Sequence, residues 1–368
     1  QSEDMPHHDA HWNFKVHARR ELSQLYKPDT KKMKVLHKLG FTAVHIVPDS
    51  GVFQGKTALV QLDQKGSILK SDVAQNIAYE VDGWGSNNYP NSLLGVVALI
   101  RQTFIDANWY KDASEKARRY PQNNVPLKKN EDLQILGDWI HEDNPFIFET
   151  DHELDVLRSI GIGGEFQIKP WFLGSGYEYR RISEIAEKQP FFILPIDFPV
   201  VPNISHPYQE LQYSTAELKH WDLAPDNPGI LIEYNIPFAI TSRGLKPKEF
   251  RKNLSRATKR SLKPSNALAS LTTIPAERMG LKDQLGKIDK GYLANLTITD
   301  GDYFDPASDV ISVWVGGMEY PVKPRYDVEI EGNWEISIEN QRYKLALTRQ
   351  SSGYSGKLTR DTTDYTLS

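Results

Sequence analysis

The sequence predicts an α/β fold: a parallel sheet or barrel flanked by helices, with a β-rich tail. Three observations predict it. Between residues 144 and 260 short apolar runs alternate with stretches of helical period, as in repeated strand–helix units. Before them, Leu93, Leu94, Val97, Ile100, Phe104 and Ala107 mark one face of a long helix. After them, residues 325–368 alternate polar and apolar residues with several Gly and Asn, which reads as antiparallel β.

The elements follow in order. Residues 1–30 are polar and suggest an irregular or extended entry. Residues 31–39 suit a helix that stops at Gly40. Phe41 to Val47 and Thr57 to Leu62 read as strands, separated by the Pro48-Asp49-Ser50-Gly51 turn. Residues 63–90 are turn-rich. The long helix ends near Tyr110, and the charged stretch 111–130 is expected to loop outside the core. Strands are then expected at 146–149, 165–168, 191–196 and 238–241. Helices are expected at 151–160, 177–187, 229–235 and 247–260. A Pro-rich loop follows Ile196.

Residues 264–300 read PSNALASLTTIPAERMGLKDQLGKIDKGYLANLTITD. Ala267, Leu268, Leu271 and Ile274 line a helical face. Pro275 suits the first turn of a second short helix, and Gly280 its stop. Leu293, Leu296 and Ile298 begin a strand. Ile311 to Val315 forms another, closing at Gly316-Gly317.

Composition narrows the function. The net charge is −4 with 25% charged residues, and no basic stripe with interleaved aromatics appears, so nucleic acid is not an expected partner. No apolar run reaches the length of a membrane span. The chain has no cysteine, so disulfides and thiolate chemistry are excluded and the redox compartment is left open.

The 264–300 segment, with VISVWVGGMEY at 310–320, resembles the closing part of the amidohydrolase superfamily, metal-dependent hydrolases built on a (β/α)8 barrel. LGFTAVHIVPDSGVFQGKTALVQL (39–62) resembles its imidazolonepropionase-like branch. NPFIFETDHELDVL (144–157), IKPWFLGSGYEYRRI (168–182) and IPFAITSRGL (236–245) resemble its ligand-bearing strands. AHWNFKV (10–16), YPNSLLGVVALIRQTFIDANWY (89–110) and FFILPIDFP (191–199) resemble the first module of long two-module proteins of Bacteroidetes and marine bacteria. The resemblance implies an incomplete or distorted TIM-like barrel over 1–290 and a β-rich subdomain over 291–368, with a small β-sandwich and a C-terminal β extension. It also implies a piece of a longer polypeptide lacking the first barrel strand, a second amidohydrolase module as partner, and a periplasmic or secreted location.

The same resemblance locates the family's metal ligands, and here the residues differ. Glu149 or Asp151 stands where the first His is expected. Leu173 replaces the His of the next strand, and Arg243 the Asp of the last. No His-x-His pair occurs, since His7, His8 and His11 precede a Trp-Asn motif and not an apolar strand. Arg neither ligates a cation nor acts as a base near neutral pH.

Three functions follow as expectations. The first is a module without metal or cofactor that supports a catalytic half. The second is a hydrolase of cyclic amide or peptide-like C–N bonds using zinc or another divalent metal. Its catalytic candidates are Glu149, Asp151 and His152, and its metal candidates His45, Asp151 and His152. The third is a carbohydrate- or peptide-binding module. Arg243 and Arg180 are candidate binders of a small-molecule or peptide ligand. A lone strand histidine such as His45 is more often a satisfied core or rim residue, and the Asp151–Asp155 cluster reads more readily as a solvated helix N-terminus. The Gln54-Gly55-Lys56 turn is a weak anion cradle. Tyr89, Arg101, Gln102, Asp106 and Trp109 read as structural hydrogen-bonding residues.

Overall fold

The computed structural model describes residues 9–81, 88–122, 127–203, 205–323, 330–338, 341–350, 353–360 and 363–367. His7 and His8 lie outside them. Leu22–Leu25 (α1) and Thr30–His37 (α2) come first, then strands Ala43–Ile46 (β1), Phe53–Lys56 (β2), Ala58–Gln61 (β3), Ile68–Lys70 (β4) and Gln75–Ala78 (β5). Helices Leu93–Arg119 (α3) and Glu131–His141 (α4) lead to Phe146–Glu149 (β6), Glu153–Phe166 (α5), Pro170–Leu173 (β7), Ile182–Ala186 (α6) and Phe191–Pro195 (β8). Pro207–Glu210 (α7), Thr215–Leu223 (α8) and Asn227–Glu233 (α9) precede Phe238–Thr241 (β9). Pro247–Thr258 (α10), Pro264–Leu271 (α11) and Thr273–Arg278 (α12) follow. The chain continues through Leu296–Thr299 (β10), Val310–Val315 (β11), Met318–Pro321 (β12), Gly332–Ile338 (β13), Gln341–Gln350 (β14), Gly353–Arg360 (β15) and Thr363–Leu367 (β16).

The main sheet has the order β2-β5-β6-β7-β8-β9. Strands β5 to β9 are parallel, and β2 runs antiparallel to β5. Among the described residues no ladder joins β9 to β2. Residues 15–21 lie along the other edge of β2, bridging in parallel at Val16–Phe53 and Glu21–Lys56.

Helix-covered parallel strands are buried on both faces and read as continuous apolar runs. One register row shows how they pack: Ile77, Phe148, Phe172, Phe192 and Phe238 stand side by side on β5 to β9. All five are fully buried. Phe104 of α3 meets the neighbouring Phe146 edge-on at 5.3 Å between ring centres.

Local chemistry explains where expectation and structure part. Helix α3 does not stop at Tyr110. It starts on the Ser92 side chain, which accepts from Gly95 N, and runs to Arg119, just before Pro121. As far as Arg119 the charged stretch is its solvated last turns: Lys116, Arg118 and Arg119 favour the helix C-terminus, and Lys111 pairs with Glu115 and with Asp138 of α4. Residues 123–126 of that stretch lie outside the described residues. The expected strand at 165–168 is the end of α5 and its exit, and the strand is 170–173. The Gly161, Gly163 and Gly164 run looks like a terminator but lies inside the helix. A side chain at Gly163 would meet Ile168 O at 3.0 Å, so glycine lets the returning chain pack closely. The turn-rich reading of 63–90 hides β4 and β5, the latter because it carries polar Gln75 and Asn76.

Strands β1, β3 and β4 form a second sheet, and β10, β11 and β12 a third. Gly316 and Gly317, at φ +58° and +86°, make the two-residue turn between β11 and β12. Thr297 Oγ1 donates to Gly40 O, and Tyr303 OH to Leu39 O, tying this C-terminal sheet to the exit of α2. Strands β13 to β16 form a separate antiparallel meander, as the alternating tail suggested.

Truncating the phenylalanine row tests its weight. Phe172→Ala is expected to lower unfolding free energy by about 3–5 kcal/mol, read from urea denaturation.

Candidate functional site

Catalytic groups on folds of this kind sit at the C-terminal ends of parallel strands. Here those ends carry Glu80, Glu149, Asp151, Gly174, Asp197 and Arg243. In the register of the ladders Glu149 shares its face with Ala78, Leu173 and Ile193. Asn76, one layer deeper, is fully buried.

A chain of polar contacts crosses this mouth. Asn76 Nδ2 donates to Gln54 Oε1 at 2.6 Å and to Glu149 Oε1 at 2.8 Å. Arg243 donates to the other carboxylate oxygen, Glu149 Oε2, at 3.0 Å. The contacts run from β2 through β5 and β6 to the residue pair beyond β9. Strands β6 and β9 are three spacings apart, about 14 Å in a flat sheet, and inward curl of the sheet brings the two side chains together. The Glu149 side chain is 18% exposed and that of Arg243 48%, so the pair seals the rim and not the deep interior.

A second carboxylate fixes the neighbouring edge. Glu80 accepts from Lys15 Nζ at 2.8 Å and from Gly51 N at 2.6 Å. Lys15 is almost wholly buried, so this contact holds the N-terminal segment against β2.

The other candidates have local duties. His152 is the residue before α5, and Glu153 and Asp155 occupy its first turn. Asp155 accepts from Asp151 N, pairs with Arg158 and lies 3.6 Å from His152 Nε2. Arg180 lies over the Tyr177 ring at 4.3 Å and 3.7 Å from Glu153. Tyr177 stacks on His220 at 3.8 Å. Burial, and then Arg180, hold the His220 pKa below the ordinary histidine value. Glu178, fully buried, accepts from Ser175 N, Gly176 N and Asn227 Nδ2, and so fixes the turn after β7.

His45 is not brought to Asp151 and His152. It lies on β1 in the second sheet, where its Nε2 contacts Thr57 Oγ1 at 2.7 Å. The residue keeps partial exposure, but protein surrounds the imidazole, and burial lowers its pKa to about 4. Among the described residues no three His, Cys, Asp or Glu side chains gather into a group able to hold a metal ion. The Gln54–Lys56 stretch is strand β2 and not an anion cradle: Lys56 pairs with Glu21 and Asp72. Arg101 binds Glu165 through two nitrogens, and Gln102 donates to Asp106. Two features were missed in the sequence: Asn76 as the inner partner of Glu149, and the exposed stack of Trp12 on Tyr89 at 6.2 Å. The sequence carried no signal for the first, because Gln75 and Asn76 together interrupt the apolar run of β5.

Residues 236–322 match the model described as "Amidohydrolase family". That segment resembles the family. It begins just before β9, so Arg243 falls within it. A stretch of 51 residues is 39% identical to Amidohydrolase tasK of Hapsidospora irregularis, covering 14% of this chain and 5% of that relative. The chain therefore matches a small fraction of that relative's length. An amidohydrolase from Thermotoga maritima MSB8 superposes with a TM-score of 0.66 over 83% of this chain and 79% of its own, at 21% identity. The chain thus has a mixed α/β fold like that of an amidohydrolase. No helix of the described residues is long and apolar enough to cross a membrane.

Two predictions follow from these contacts. Glu149→Gln and Arg243→Met should each destabilise by about 1 kcal/mol, the pair being half exposed. The double variant should lose less than the sum in a double-mutant cycle of urea unfolding. The second concerns acid. Burial lowers the pKa of His45 to about 4 and holds those of His37 and His11 below the ordinary value, while the unfolded chain protonates each near pH 6.5. The unfolded state then binds more protons below that pH, so stability falls as pH drops from about 6.5 towards 4, with up to about 1.4 kcal/mol per pH unit from His45. His45→Gln should remove about one proton from that dependence, read from urea midpoints at pH 7 and pH 5.

Proposed function

We propose that this chain is an amidohydrolase-like module that does not hydrolyse by itself, and that it supports or completes a catalytic partner module. The Glu149–Arg243 pair carries this reading. Hydrolysis by a divalent ion requires ligands that hold the ion and a base that takes a proton from its water. Both Glu149 oxygens are engaged, one by Asn76 and one by Arg243. An ion drawn to this carboxylate would meet a guanidinium, which offers no lone pair. The residues present do not fit a divalent ion at this mouth. They fit a rim held closed by a charge-assisted hydrogen bond.

A second reading, binding of a carbohydrate or peptide, is favoured by the exposed Trp12–Tyr89 stack beside exposed Phe14. A divergent hydrolase acting on cyclic amide or peptide-like C–N bonds is the third. It would have to draw on Asp151 and His152, whose neighbour Asp155 already serves the start of α5.

Elemental mass spectrometry of the purified chain, before and after soaking in zinc, separates these readings. The expected result is no stoichiometric ion after desalting. A stoichiometric ion lost on Asp151→Ala would sink the proposal and make the divergent hydrolase the working model.

A further inference from the structure

The β13–β16 meander is a single layer with two unlike faces. Its ladders place Trp334 opposite Leu345, Leu345 opposite Leu358, and Leu358 opposite Tyr365. Ile336 pairs with Tyr343, and Leu347 with Gly356. Side chains at directly paired positions share a face, so these residues form one largely apolar surface, on which Arg360, two residues along from Leu358, lies over the Tyr343 ring at 5.8 Å. Glu335, Lys344, Lys357 and Asp364 fall on the other face, where Lys357 pairs with Asp364.

No described part of the chain covers the apolar face. None of the three apolar clusters of the described residues includes a meander residue. Trp334 remains 46% exposed and Tyr365 51%. A sheet with one apolar face reaches stability by packing that face on another layer.

The size of the face says what kind of layer. Four strands of about seven residues span roughly 19 Å by 23 Å, or about 400 Å². A free homodimer requires about 800 Å² from each partner, twice what this face offers. A tethered layer does not, because linkage supplies a high local concentration. Arg349 stands at one corner of the same face, opposite Tyr354. Two copies packed face to face would add like charge there, whereas an acidic residue on a different partner would complement it.

We infer that this face is the inner surface of a β-sandwich completed by an amphipathic antiparallel sheet of the partner module, with an acidic residue opposite Arg349. The inference takes from the proposed function only the existence of a partner module. The Glu149–Arg243 contact has no part in it.

The chain has no cysteine, so single cysteines report cleanly. Leu345→Cys probes the apolar face and Lys344→Cys the polar face, each checked for folding by circular dichroism. Both are labelled with a polar maleimide in the purified 368-residue chain and in the polypeptide as its own cell produces it. In the purified chain both positions should react. In the native polypeptide Leu345→Cys should react at least tenfold more slowly than in the purified chain, with Lys344→Cys unchanged. A benzophenone attached at position 345 should then crosslink to a strand-like peptide of alternating apolar residues outside residues 332–367. Equal labelling in both preparations overturns the inference. So does a crosslink to a second copy of this meander, or protection of the purified chain by vesicles of anionic phospholipid. A zinc ion retained in the metal assay would overturn the proposed function and leave the labelling result untouched.

Discussion

Phe148, Phe172, Phe192 and Phe238 leave water together or not at all, because each stands beside the next on adjoining strands. Rings of one size, repeated across four strands, keep those strands level, and the helices that follow them close on the same surface. Everything at the strand ends inherits that alignment. Glu149 follows Phe148 directly, and Arg243 lies five residues beyond Phe238, so their meeting depends on how the row sets strand against strand. The polar contacts at the mouth are therefore a product of packing on the far side of the sheet.

The mouth also shows how a buried polar residue gains a role by position. Asn76 sits in a short strand whose other residues are wholly buried, and it donates to acceptors on both sides. Without it, one oxygen of Glu149 would face the interior unpartnered, a costly arrangement at low local dielectric. Glu80 and Lys15 do comparable work at the next edge, where a nearly buried ammonium holds the N-terminal segment along β2. Two ion pairs thus hold the rim, each anchored to a different part of the chain.

Much of this was legible in the sequence. Strands β6, β8 and β9 and helices α10 to α12 fell where period and punctuation put them, because strong apolar runs bounded by Gly or Pro leave few alternatives. The amidohydrolase resemblance of the last third was carried by such runs. Elements with mixed signals were not legible. Strand β5 was hidden by Gln75 and Asn76, whose burial depends on partners far away in sequence. The end of α5 was hidden by glycines that serve close packing and not termination. At the site, Glu149 and Arg243 could be named from the strand ends. Asn76 could not be named, since only the curled sheet brings it beneath Glu149. His45 illustrates the reverse: a plausible ligand in sequence, it stands in a different sheet with a hydroxyl as its partner.

The Glu149–Arg243 pair also constrains descent. Replacing Arg243 by an acid while Glu149 remains would set two carboxylates against each other at a half-buried rim. Replacing Glu149 first would leave a guanidinium without its partner. Either single step passes through a less stable protein, so exchange between an Arg-locked and an acid-lined mouth favours paired changes or a neutral intermediate such as Gln at 149.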